Sequence, residues 1–154
     1  MLAIIQRFPE CRLLVVGDLM IDEYVWGAVD RISPEAPVQV VSVLREDLTL
    51  GGAGNVVNNL RALGGQVVVA GVVGTAADGE RMVEMFEKLA VDCRGVVQEA
   101  ERPTTRKTRI IASNQHVLRV DRETKRDISA VSFERLTGFV EAVMPEIDVV
   151  LLSD

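Results

Sequence analysis

The 154 residues carry 17 Lys and Arg against 23 Asp and Glu, a net charge of −6, and 48% of them are hydrophobic. That size and apolar content suit one domain, or a piece of one, with a substantial core, while the acidic balance argues against a protein that coats nucleic acid. The longest apolar runs, Gln66 to Val73 and Val149 to Leu152, fall far short of the roughly 20 residues a spanning helix needs, and Cys11 and Cys93 are too few for a disulfide framework or a zinc site.

Met1 to Cys11 reads as a first helix in a cytoplasmic protein, because its apolar stretch has neither a basic leader nor a small-residue cleavage site. Cys11 and Cys93 are then free, buried thiols. Arg12 to Gly17, R-L-L-V-V-G, is a short β-branched run ending at glycine, as a strand buried on both faces of a parallel sheet would be. Pro37 to Leu44 alternates like a strand with one exposed face. Ala53 to Leu63 predicts a helix with Val56, Val57, Leu60 and Leu63 on one stripe, stopped by Gly64-Gly65. Gln66 to Gly74 repeats the buried-strand pattern. Asp78 to Leu89 predicts a helix carrying Met82, Val83, Met85, Phe86 and Leu89, with Asp78 as its N-cap. Thr104 to Ile111 and His116 to Asp121 alternate like a strand pair joined by Ala112 to Gln115. Ser129 to Met144 predicts a helix interrupted at Gly138 and ended by Pro145, and Asp148 to Ser153 gives a third buried strand. A helix before a parallel strand fits a right-handed crossover. The chain is therefore α/β, a mostly parallel sheet with flanking helices, and the alternating segments form a small separate sheet inserted into it.

Asp18 and Asp22, in G-D-L-M-I-D, emerge at the carboxyl end of the first strand, where open α/β sheets bind ligands. Carboxylates there either accept hydrogen bonds from sugar hydroxyls or serve the loop and cap a helix. Gly51-Gly52-Ala53-Gly54-Asn55 opens a helix after a turn, where glycines let a ligand approach backbone N–H groups. It is neither a Walker A loop nor a dinucleotide fingerprint. Asn55 can offer donor and acceptor to a polyol, or merely cap. Arg102, Arg106, Lys107 and Arg109 cluster in an otherwise acidic chain, facing a small anion or simply forming a solvated strand face.

G-D-L-M-I-D at 17–22, R-I-S-P-E-A-P-V at 31–38, G-G-A-G-N-V-V-N-N at 51–59, T-R-K-T-R-I at 105–110 and N-Q-H-V-L-R-V-D at 114–121 together resemble the ribokinase-like (PfkB-type) carbohydrate kinases, above all the heptose 7-phosphate kinase domain. R-I-S-P-E-A-P is the most specific of these elements. The resemblance implies a ribokinase-like fold whose residues 1–154 are the amino-terminal part of a single sugar-kinase domain, with β-lid segments at about 37–48 and 103–122 that dimerise. It also implies transfer of the ATP γ-phosphoryl to heptose 7-phosphate for lipopolysaccharide, with ATP and Mg2+ as cofactors of the intact kinase. Asp18, Asp22, Gly51, Gly52 and Asn55 become sugar-contacting candidates; Lys107, Arg109 and Arg119 become lid-side candidates for the substrate phosphate. Lys107 and Arg109 share one strand face, and Arg119 and Asp121 share a face of the next strand.

The family's catalytic base is the aspartate of a G-A-G-D turn, whereas this chain has only Gly52-Ala53-Gly54-Asn55, whose neutral amide cannot accept a proton. The nucleotide site and base of the resembling family follow the strand that ends here at Ser153, so the expectation is a sugar-binding half that binds neither ATP nor Mg2+ well. The alternatives are a catalytically inactive fragment that binds sugar phosphate or dimerises, and a dinucleotide-binding oxidoreductase domain.

Overall fold

A computed structural model describes residues 5–154. In chain order its elements are β1 (Arg12–Gly17), β2 (Leu19–Ile32), β3 (Gln39–Gly52), α1 (Ala53–Ala62), β4 (Gln66–Gly74), α2 (Ala77–Lys88), β5 (Asp92–Glu99), β6 (Thr105–Ala112), β7 (Gln115–Arg122), α3 (Ala130–Val143) and β8 (Val149–Ser153), with 3-10 turns at Phe8–Glu10 and Met144–Glu146. The expected first helix falls partly on residues 1–4, outside the described residues; Ile5 is helical, and a 3-10 turn follows at Phe8–Glu10.

β5-β4-β1-β8 form a parallel sheet, and β1 pairs with β4 on one side and β8 on the other. Alternation along β1 divides the core between the sheet's faces. Val15 packs with Val57, Val69, Met82 and Phe86 beneath α1 and α2, whereas Leu14 packs with Val68, Ala70 and Val143 beneath α3. The stripe expected on α1 is narrower than the sequence suggests, since Val57 is buried and Leu63 is 54% exposed. α1 closes in a Schellman motif, with Gly64 at φ 92° and Gly65 N–H donating to Leu60 O at 3.0 Å. Gly138 does not interrupt α3, and Ser129 caps it by accepting from Ser132 N–H at 3.1 Å. Both cysteines are free but half-buried; burial pushes the Cys93 thiol up to about 11.

The second sheet is larger than the alternating segments implied, with the order β3-β2-β6-β7. β2, which went unread in the sequence, is a 14-residue strand antiparallel to β3 and parallel to β6. Its apolar alternation is broken by Glu23, which is 6% exposed and lies between buried Ile21 and Val25 on the same face. That carboxylate is affordable only because it is paired: Arg106 Nε donates to it at 3.0 Å and Thr108 Oγ at 2.5 Å. Arg106 also donates to Asp78 at 3.0 Å. Asp78 therefore does not cap α2, whose N-cap is Ala76; its carboxylate ties the second sheet to the helix that covers the first.

The Arg106 guanidinium holds the Glu23 carboxyl below its ordinary value near 4.5. A depressed carboxylate pKa contributes stability that is complete above that ordinary value and disappears as pH falls through the folded one. Glu23→Ala should therefore cost on the order of 3 kcal/mol near neutrality, by leaving Arg106 short of a partner. In denaturant melts the gap between variant and wild type should narrow as the pH is lowered below 4.5.

Candidate functional site

Asp18 is the single residue between β1 and β2, so the chain leaves the parallel sheet and enters the second sheet through it. β1 runs into a strand here instead of a glycine turn and helix, which removes the dinucleotide-fold alternative. The Asp18 N–H donates to Ser153 O at 3.1 Å, and its carbonyl accepts from Ala53 N–H at 3.0 Å. Its side chain is exposed and caps no helix, against the capping alternative.

Gly51 and Gly52 close β3, which passes into α1 without an intervening turn. Gly52 has φ 53°, and a Cβ there would come within 2.6 Å of the Asp18 carbonyl oxygen, so conformation and space both demand glycine. The first N–H of α1 is already spent on Asp18, which narrows the expected ligand approach to the helix start. Gly51 is buried against the Asp22 carboxylate. Asn55, third in α1, is exposed.

The strand register places Asp22, Lys107 and Asp121 in one row and Tyr24, Arg109 and Arg119 in the next, all on one sheet face. Among the described residues the ion pairs here join Arg109 to Asp22, Arg119 to Asp121, and Arg106 to Glu23 and Asp78. Arg109 also stacks over the Tyr24 ring at 5.4 Å, and the Asp22 carboxylate raises its pKa. Lys107 is left without an ion pair although two aspartates flank it in register.

Two adjoining clefts lie where the carboxyl ends of the parallel strands meet the second sheet. The inner one is lined by Asp18, Met20, Arg102, Thr105, Lys107 and Glu123, among others. The outer one is lined by Asp18, Arg102 and the segment from Thr124 to Ile128. Of the residues singled out from sequence, Asp18 and Lys107 line these clefts. Asp22, Gly51, Gly52, Asn55, Arg109 and Arg119 do not. Arg102 lines both clefts; its only sequence signal was membership of the basic cluster.

Residues 11–153 match the family model described as pfkB family carbohydrate kinase. The bifunctional protein HldE of Desulfatibacillum aliphaticivorans is 51% identical over 150 residues, which is 97% of this chain and 31% of that protein. The HldE of Trichlorobacter lovleyi is 52% identical over 152 residues, with 99% and 31% covered. The chain thus spans 31% of the length of these relatives. A carbohydrate kinase from Agrobacterium tumefaciens superposes with a TM-score of 0.67 at 20% identity, over 92% of this chain and 45% of that one. Arabidopsis thaliana ribokinase, complexed with ribose and ATP, superposes with a TM-score of 0.62 at 18% identity and the same coverage. These two likenesses establish the ribokinase-like fold.

An exposed side chain that caps nothing leaves stability nearly unchanged when substituted. Asp18→Asn should therefore shift unfolding free energy by no more than about 0.5 kcal/mol. Gly52→Ala should cost more than 1 kcal/mol, roughly the penalty for a strained backbone conformation. Thermal or denaturant melts of both variants check this contrast.

Proposed function

We propose that this chain, which belongs to the pfkB family of carbohydrate kinases, forms the sugar-phosphate-binding half of a kinase that transfers the ATP γ-phosphoryl to the anomeric hydroxyl of heptose 7-phosphate. These 154 residues by themselves hold the substrate without turning it over. One observation carries the reading: the Asp18 carboxylate and the Lys107 ammonium, neither in an ion pair among the described residues, line one cleft at the carboxyl ends of parallel strands. A carboxylate accepts hydrogen bonds from sugar hydroxyls, and an unpaired cation beside it offsets a phosphate that an acidic chain would otherwise repel.

The choice of heptose 7-phosphate is supported by R-I-S-P-E-A-P at 31–37, which spans the end of β2 and the β2–β3 connection, and by the 51–52% identity to the HldE proteins. In this reading Gly51, Gly52 and Asn55 border the sugar. Asp22 orients Arg109 through their ion pair, and Arg109 and Arg119 supply the positive field of the lid. ATP as phosphoryl donor is supported by the family and by the ATP held in the Arabidopsis ribokinase. In this reading Mg2+, like ATP, is a cofactor of the intact kinase. The chemistry left to these residues is binding and orientation, the positional part of phosphoryl transfer.

Calorimetric titration of the 154-residue chain should show heptose 7-phosphate binding that Asp18→Asn weakens by about tenfold, the worth of one charge-assisted hydrogen bond. No ATP-dependent product should form. Metal-dependent turnover by the wild-type chain, abolished in Asp18→Ala, would refute the division of labour, and absence of sugar-phosphate binding would refute the substrate.

The lid also carries the proposed dimer. β7 is an edge strand exposed along its whole length, and Leu118, at 54% exposure, leads its apolar residues. A bare apolar edge is costly to leave unpaired. A second copy covers it, and Leu118→Lys should convert a dimer to a monomer in sedimentation analysis.

A further inference from the structure

Arg106 holds two carboxylates that belong to different parts of the molecule. Glu23, buried on the neighbouring strand β2, keeps the guanidinium inside the second sheet. Asp78, in the first turn of α2, meets the same guanidinium from outside that sheet and accepts from one terminal nitrogen at 3.0 and 3.3 Å. Its side chain is 26% exposed and lines neither cleft. Among the described residues this is the one ion pair that joins the second sheet to a helix over the first.

A second contact lies two residues earlier. The buried Thr104 hydroxyl accepts from the Gly74 N–H at the end of β4, at 3.0 Å. A Cβ on Gly74 would come within 2.3 Å of the Arg102 carbonyl oxygen, so the chain leading into β6 lies directly against the β4–α2 connection. Alternation converts these contacts into a position. Thr104, Arg106 and Thr108 point inward, where they meet Gly74, Asp78 and Glu23. Thr105 and Lys107 then project the other way, onto the inner cleft with Asp18.

We propose that Asp78 is a positioning residue of this cleft: by anchoring Arg106 to α2 it holds the start of β6 where Lys107 stands beside Asp18. This rests on the sugar-phosphate reading above. The two carboxylates divide the work. Without Asp78 the guanidinium keeps Glu23, so no buried charge is left unpaired and the second sheet stays whole. What disappears is the charged tie between the layers, which leaves the Thr104 hydrogen bond and the backbone junction at Asp18 and Ala53 to hold the sheet's inclination. Binding groups need placement to within about 0.5 Å, and contacts that never touch the ligand supply it.

The test uses the 154-residue chain with substitutions at two positions of one helical turn. Asp78→Asn removes the charge from the tie, and Asp78→Glu keeps a carboxylate. Glu80→Gln removes the other acidic charge of the turn, which is exposed and without an ion pair among the described residues, and so matches the loss of favourable charge at a helix start. In calorimetric titration with heptose 7-phosphate, Asp78→Asn should weaken binding about tenfold, Asp78→Glu should recover most of the loss, and Glu80→Gln should leave affinity unchanged. Amide hydrogen exchange, read by nuclear magnetic resonance, should show the Gly74 N–H exchanging faster in Asp78→Asn while the amides of β1 and of the β2–β6 ladder keep their rates. Unchanged affinity in Asp78→Asn, an equal loss in Glu80→Gln, or faster exchange throughout the chain would overturn the assignment, the last by making Asp78 a purely stabilising residue. If the wild-type chain binds no heptose 7-phosphate, acceleration confined to Gly74 upholds the tie and defeats the substrate reading alone, whereas its absence overturns the tie as well.

Discussion

The Asp18 peptide is gripped from both sides, its N–H by the Ser153 carbonyl at the end of β8 and its carbonyl by the Ala53 N–H at the start of α1. Three parts of the molecule meet at that one peptide: the parallel sheet, the first core helix, and the second sheet that begins at Leu19. The approach is close enough that Gly52 has no room for a side chain against the Asp18 carbonyl, and its positive φ admits none without strain. With the backbone held this way, the Asp18 side chain is left over at the mouth of the cleft, free of any structural task.

The second sheet is oriented over that cleft by a different device. Glu23 and Arg106 form an ion pair inside the sheet, and Arg106 continues to Asp78 on α2, so one guanidinium ties the second sheet to a helix that covers the first. Burying such a pair is expensive, and the return is geometric more than energetic. It determines where β6 lies, and with it the positions of Thr105 and Lys107 relative to Asp18.

Electrostatics within the second sheet follow from register. Rows of opposite charge alternate across β2, β6 and β7, and each arginine of the outer face finds an aspartate. In a chain with a net charge of −6 this pairing weakens the positive potential that the outer face offers an anion. Lys107, flanked by two aspartates already taken, is a cation of that face left without an ion pair among the described residues. In the proposed reading a phosphorylated sugar meets that cation beside Asp18, a local way for an acidic protein to hold an anion.

The parallel strands β1, β4 and β8 and the helices α1, α2 and α3 were legible in the sequence, because burial on both faces yields continuous β-branched runs and burial on one yields a helical stripe. The expectation of β-structure at 37–44, 104–111 and 116–121 came from alternation with one exposed face, and the family resemblance from motifs spread along the chain. β2 escaped because Glu23 interrupts its alternation, and only the partners contributed by β6 make a buried glutamate tolerable. β5, D-C-R-G-V-V-Q-E, carries too little pattern to be read alone. The candidate site divides in the same way. Asp18 was readable from its place after a strand, and Lys107 from the basic cluster. Tertiary structure alone decided that Arg109 and Arg119 are paired, that Asn55 lies outside the clefts, and that Arg102 is paired with Glu99. Sequence records which charges a chain owns, but a charge is free or spent according to what long-range register and packing bring within about 4 Å of it.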